Sequence, residues 1–338
     1  MASLVLDQLD AFGPDHCEQL DYEQADAMTR ELTESQYENF TVVSWLLPKR
    51  FREDFRHVYA FCRWADDLGD ETGDPQRSLE LLEWWRTEVD QCYAGRPRHP
   101  VFVALARTIE KRNIPRKPFD DLIDAFVQDQ RVTRYDTWEQ VIDYCSRSAD
   151  PVGRLVLYVC GYDDDQRQRL SDQTCTALQL VNFWQDVRRD VLERDRVYIP
   201  QNIARQHGLD IDTMVSVIKA DGAARGDCGP ACCDGRKLPS AGITAIEREY
   251  CATVRDLCER TRPMFELGRA LLPMVASDIR VDIKLFTLGG EAILRRIRSL
   301  GYNTLRERPS LSKGAKVALM LRAVSGKMTS VVRGGGRV

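Results

Sequence analysis

Two stretches decide the reading of this chain: YAFCRWADDLGDE, residues 59–71, and LQLVNFWQDVRRDVLERDRVYIP, residues 178–200. Each holds two aspartates four residues apart, Asp66 with Asp70 and Asp186 with Asp190. On a helix of 3.6 residues per turn such positions lie one turn above each other, so each pair sets two carboxylates side by side. Helical steps back from Asp70 reach Asp66, Arg63 and Tyr59; steps back from Asp190 reach Asp186, Asn182 and Gln179. Leu178, Leu180, Val181 and Phe183 cover much of the rest of the second helix. A polar stripe on an apolar helix is costly to bury unless metal, water or ligand satisfies it, so both stripes predict the wall of a wet cavity. If the two helices face each other, four carboxylates form opposed rims for hard cations. Mg²⁺ suits such rims, because it takes oxygen ligands and is commonly completed by substrate phosphates. The pattern points to metal-bound diphosphate.

One acidic cluster alone is ordinarily a solvated helix face. Two clusters at matching spacing favour a shared ligand. An EF-hand reading of DDLGDETGD fails, because Glu71 stands where that loop needs Gly and Arg77 where it needs Glu. A His-dependent metal hydrolase is disfavoured by a total of four histidines with no ligand spacing among them.

Outward from these motifs the pattern is helical nearly everywhere. Residues 81–93, 118–130 and 245–272 place apolar side chains at intervals of three and four, whereas alternating strand patterns are scarce. This predicts an all-α bundle in one domain spanning residues 1–338. Breaks fall at GDPQR, AGRPRHP and IPRKP, where Pro and Gly end helices. The Gly- and Cys-rich residues 220–242 read as an inserted mobile loop, and 330–338 as a disordered tail. Within the loop, CGPACC lacks the second Cys pair or nearby His of a zinc site.

With 338 residues, 43% hydrophobic and 30% charged, the chain can bury a substantial core. A net charge of −4 excludes a strongly basic nucleic-acid binder, so no nucleic acid is expected. Eleven scattered cysteines and an N-terminus without a basic-then-apolar signal predict a reducing, cytoplasmic setting. No apolar run reaches the length of a membrane span.

At these residues a family resemblance emerges. The two aspartate motifs, with LLPKRFREDFRHVYAFCR, TRYDTWEQVIDYCSRSADPVG and GGEAILRRIRSLGYNTLRERPSLSK, resemble the squalene/phytoene synthase family in colinear order over residues 35–315. YENF, SADPVGRLVL and ALQLVNFWQDV are most similar to its hopanoid-pathway branch. The resemblance implies an all-α, single-domain isoprenoid-synthase-type helical bundle with a central cavity and a core over 35–315, an enzyme of squalene and hopanoid biosynthesis acting on a prenyl diphosphate. It implies Mg²⁺ at Asp66, Asp70, Asp186 and Asp190, and Tyr59, Arg63, Phe40, Gln179 and Asn182 at the reaction centre. Arg63, Arg196, Asp67, Phe183, Ser146 and Arg147 are the residues it implies for substrate and diphosphate binding. Other enzymes of squalene and hopanoid synthesis are expected partners. A lipid substrate further implies peripheral contact with the inner face of the membrane.

Departures from the family pattern narrow the reaction. Many members carry His-Ser-Lys-Ser-Phe where this chain has Gln36, Tyr37, Glu38, Asn39 and Phe40, so basic contacts to a second diphosphate are gone and a negative charge is added. A tyrosine common in the family is replaced by Ser146, followed by Arg147, which makes that pocket smaller and more polar. Both changes favour an enzyme that ionises presqualene diphosphate and lets water end the reaction as hydroxysqualene. Phe40, Tyr59 and Phe183 are candidates to wall the cation through its attraction to ring faces. The alternative is head-to-head condensation of two farnesyl or geranylgeranyl diphosphates to presqualene diphosphate, squalene or phytoene. A non-catalytic isoprenoid-binding protein is a third reading, disfavoured by four intact aspartates. No NADPH is expected, because no G-x-G-x-x-G follows a strand and Gly289-Gly290 is a poor substitute.

Overall fold

The computed structural model describes residues 5–35, 48–225 and 241–312, with 314–316, 318, 319 and 323 beyond them. No strand forms among the described residues; the two isolated bridges join Phe12 to Cys17 and Arg134 to Val197. The α-helices are α1 (Leu9–Phe12), α2 (Tyr22–Ser35), α3 (Lys49–Asp70), α4 (Pro75–Tyr93), α5 (Pro100–Arg112), α6 (Lys117–Asp129) and α7 (Trp138–Ser148). They continue with α8 (Asp150–Val159), α9 (Asp165–Arg194), α10 (Gln201–Gln206), α11 (Ile211–Arg225), α12 (Ala241–Gly268) and α13 (Ser277–Ser299). Residues 36–47, with Gln36, Glu38 and Phe40, lie outside the described residues, as do 226–240 and the expected tail 330–338.

The chain divides into two compact units, Met1–Arg131 with Ser146–Asp172 and Val132–Cys145 with Gln173–Val338. In the first, α3 buries Phe51, Val58, Phe61, Ala65 and Leu68 along one side, the spacing of an amphipathic helix. Phe61 meets Phe119 edge to face at 4.7 Å between ring centroids, and Trp64 stacks on Trp85 at 5.3 Å. Both tryptophans are fully buried, and each such ring removes 150–250 Å² from water on the usual scale. Capping explains where the neighbouring helices start. Asp74 accepts a bond from the Gln76 N–H with Pro75 in the first turn, and His99 accepts one from the Val101 N–H with Pro100 next to it.

The end of α3 is fixed from two sides. The Gly69 carbonyl accepts bonds from the Ser78 hydroxyl at 3.0 Å and the Gln130 amide at 2.9 Å. A side chain at Gly69 would begin 3.3 Å from the Phe126 ring, so glycine is what lets α6 approach there. Asp66 and Asp70 therefore sit on a helix end that cannot fray freely.

In the second unit, Ala177, Val181 and Phe265 form a buried apolar cluster, with Leu178, Met264, Ile293 and Leu294 packed against it. Trp184 is fully buried and its indole N–H donates to Thr261 Oγ1 at 3.0 Å, so α9 is bonded as well as packed to α12. After α9 the chain turns at Asp195, whose φ is +50°, and its carboxylate meets Lys219 at 2.7 Å and Arg134 at 3.2 Å. The Val197 N–H then donates to the Thr133 carbonyl at 2.9 Å. The loop expected over 220–242 differs at both ends, since α11 continues through Arg225 and α12 begins at Ala241.

Candidate active site

On α3 the spacing of the first motif is realised as one partly open stripe, with Tyr59, Arg63, Asp66 and Asp70 all half-buried. Asp67 is not on it. Its carboxylate is 1% exposed and is held by the Arg63 guanidinium, which also lies 3.6 Å from Asp66. A buried carboxylate needs such a partner, and the pair fixes where Arg63 presents its remaining donors. Burial, opposed by Arg63 and aided by Asp66 and Asp67, pushes the Tyr59 hydroxyl above its ordinary pKa.

On α9, Gln179 is half-buried, Asn182 exposed, and Asp186 and Asp190 half-buried. Burial and the charge of Asp186 push the Asp190 carboxyl up to about 7, against the opposing pull of Arg194, Arg189 and Arg196. Arg196 is buried, and its N–H donates to the Asp190 carbonyl at 3.1 Å, which keeps it beside the helix end. Phe183 is buried with one ring face stacked on Tyr198 at 3.7 Å between centroids, and Tyr144 and Tyr135 extend the same aromatic group. Ser146 is exposed and Arg147 half-buried near the end of α7.

The α9 pair suits a divalent cation. Two carboxylates one turn apart, one pushed toward its protonated form by burial and then by the other's charge, are an oxygen donor set that a hard divalent cation would fit. Among the described residues no cluster of three or more His, Cys, Asp or Glu shaped to hold a metal forms. The sequence reading missed Arg308. Its guanidinium grips Asp186 with Nε 2.5 Å from Oδ1 and Nη2 3.0 Å from Oδ2. The signal available was a basic residue in GYNTLRERPSLSK, with nothing in the spacing to aim it.

The model of the squalene/phytoene synthase family matches residues 33–225, more than half of the chain. The chain belongs to the squalene/phytoene synthase family of enzymes. It is 36% identical over 192 residues to a hydroxysqualene synthase of Sinorhizobium fredii, a match covering 56% of this chain and 62% of that one. It is 30% identical to a phytoene synthase of Thermus thermophilus over 84% of this chain and 87% of the other. Among solved structures, the squalene synthase HpnC from Alicyclobacillus acidocaldarius is 41% identical with a TM-score of 0.70, covering 83% of this chain and 96% of that one. The helices are thus those of the all-α isoprenoid synthases. Gly290 lies inside α13, where a Cβ would crowd the Phe265 ring.

Proposed function

We propose that the protein converts presqualene diphosphate to hydroxysqualene, with Asp66, Asp70, Asp186 and Asp190 as the ligands of Mg²⁺. The observation that carries this reading is the Asp186–Asp190 pair, two carboxylates one turn apart on α9, where burial first and the charge of Asp186 second push Asp190 up to about 7. Likeness to a hydroxysqualene synthase supports the substrate, as does Glu38 where relatives place a cation. Magnesium, when bound, neutralises the negative charge that develops on the departing diphosphate.

The chain's own groups do the rest. Arg63, held by Asp67, and Arg196, held beside Asp190, donate charge-assisted hydrogen bonds to diphosphate oxygens. Gln179 and Asn182 orient the same group through their amides. Tyr59, Phe40 and the Tyr198-backed ring of Phe183 wall the carbocation and delay water. Ser146 and Arg147 supply the polar end from which water finally captures it. The lipid substrate and product reach the protein from the inner face of the membrane, in the cytoplasm, where it works beside other enzymes of squalene and hopanoid synthesis. No helix among the described residues is long and apolar enough to cross a bilayer.

The competing reading, coupling of two farnesyl diphosphates, is favoured by the 41% identity to a squalene synthase. Purified protein with Mg²⁺ and no NADPH, given presqualene diphosphate or farnesyl diphosphate separately, distinguishes them. The expected product is an alcohol from presqualene diphosphate carrying oxygen-18 from labelled water. Asp66→Asn and Asp186→Asn should each lower its formation more than about tenfold, at least 1.4 kcal/mol in the barrier, with helix content unchanged. Efficient coupling of farnesyl diphosphate by the unaltered protein would sink the reading.

A further inference from the structure

We propose that Arg308 is a built-in counter-cation for Asp186, occupying this carboxylate in the metal-free protein and yielding it when a divalent cation arrives. The inference rests on the assignment of Asp186 as a metal ligand. Both carboxylate oxygens are taken by the planar fork, at 2.5 and 3.0 Å, the bidentate arrangement that makes Arg–carboxylate pairs strong and directional. A cation approaching Asp186 meets the positive charge of Arg308 at both carboxylate oxygens and must share or displace it.

The contact is not that of a loose tail. Residues 303–309 are laced to the second unit on either side of Arg308. Gln185, next to Asp186, donates to the Pro309 carbonyl at 2.5 Å. Arg306 bonds Glu247 at 2.6 Å, the Asn303 amide bonds Glu247 at 2.7 Å, and Tyr250 meets Thr304 Oγ1 at 2.6 Å. The backbone is thus held, and the Arg308 side chain is 41% exposed against 17% for Asp186. Other cations near Asp186 have their own partners: Arg189 is committed to Glu193 at 2.8 Å and Arg188 to Asp221 at 2.8 Å. Arg308 alone grips Asp186 itself among the ion pairs described. It relieves the like-charge pair on α9 without metal, and in doing so competes with metal.

The test is direct metal binding without substrate. Mn²⁺, an oxygen-seeking probe of the Mg²⁺ site, is titrated into the full-length protein, Arg308→Gln and Arg308→Lys, and free Mn²⁺ is read by electron paramagnetic resonance. Folded Arg308→Gln should bind at least about threefold more tightly than the unaltered protein, and Arg308→Lys, which keeps the charge but loses the fork, should fall between them. Equal or weaker binding by folded Arg308→Gln overturns the proposal, and so does no measurable binding by any of the proteins at millimolar metal. If Arg308→Gln fails to fold, Arg308→Lys decides by the same comparison. Tighter Mn²⁺ binding with no turnover of presqualene diphosphate would leave this inference standing and remove the functional reading; the reverse pattern would do the opposite.

Discussion

The Nε2 of His57 lies 3.0 Å from Asp26 Oδ1, while its Nδ1 lies 2.8 Å from Thr108 Oγ1, so one buried ring joins α3 to α2 and α5. Asp26 also receives Arg30 at 2.7 Å and Arg56 at 3.0 Å. Beyond Thr108 the network continues to Asp54, which takes Arg112 Nε at 2.8 Å and Lys111 at 3.0 Å. Buried polar groups that satisfy one another fix the register of the helices that carry them, and here they fix α2, the helix that ends one residue before Gln36.

Asp26→Ala should therefore loosen α2 before anything else. The substitution strips the acceptor from His57, Arg30 and Arg56, and breaking a buried pair costs about 3–5 kcal/mol. Arg30 is half-exposed, which puts the expected loss near the low end, about 3 kcal/mol. Hydrogen exchange should show the amides of residues 22–35 losing protection most. Unchanged exchange in α2 with an unchanged melting temperature would show that the network holds nothing.

His99 gives the protein an acid-side weakness. The ring is fully buried between Trp64 at 4.4 Å and Trp85 at 4.9 Å, and burial pushes it down to about 3. An unfolded histidine titrates near 6.5, so below that pH the unfolded chain binds a proton that the folded one refuses. Stability should fall as pH drops from about 6.5 toward about 3, at up to about 1.4 kcal/mol per pH unit for this one group. His57, pushed down by burial against the pull of Asp26, acts in the same direction. His99→Asn keeps a helix-capping acceptor and cannot titrate. Denaturant unfolding at pH 5 and 6 should show a slope smaller by about one proton in this variant. Equal slopes in the two proteins would refute the assignment.

The helical fold and the two acidic stripes were legible because a 3.6-residue period is a local signal, visible in Tyr59, Arg63, Asp66 and Asp70 without tertiary information. Asp67 was not legible in the same way. Its place off the stripe follows from the period, but its burial depends on Arg63 neutralising it inside the unit. Arg308 reaches Asp186 across 122 residues, a distance at which no spacing rule aims a side chain. Residues 220–225 misled for a physical reason. Glycine reads as a loop residue, yet Gly222 lies inside α11, where a Cβ would stand 2.7 Å from Leu192 Cδ2 so that close packing favours glycine, and neighbouring Asp221 is tied to Arg188.

The adjacent glycines of α13 separate helix propensity from packing. At Gly289 a Cβ would meet nothing within 4 Å, so Gly289→Ala should stabilise by roughly 0.5–1 kcal/mol through the helix preference of alanine. At Gly290 the same methyl would stand 2.4 Å from Phe265 Cζ and 2.8 Å from Leu178 Cδ2. Phe265 is 1% exposed and has nowhere to swing, so overpacking of about 1–3 kcal/mol should outweigh that gain and lower the melting temperature. Phe265→Leu removes the ring atom that clashes, at its own cavity cost. If the geometry is right, Gly290→Ala should cost less in the Phe265→Leu background than in the unaltered protein, a coupling read from the double-mutant cycle. Equal costs in the two backgrounds would mean that α13 approaches Phe265 less closely than the structure places it.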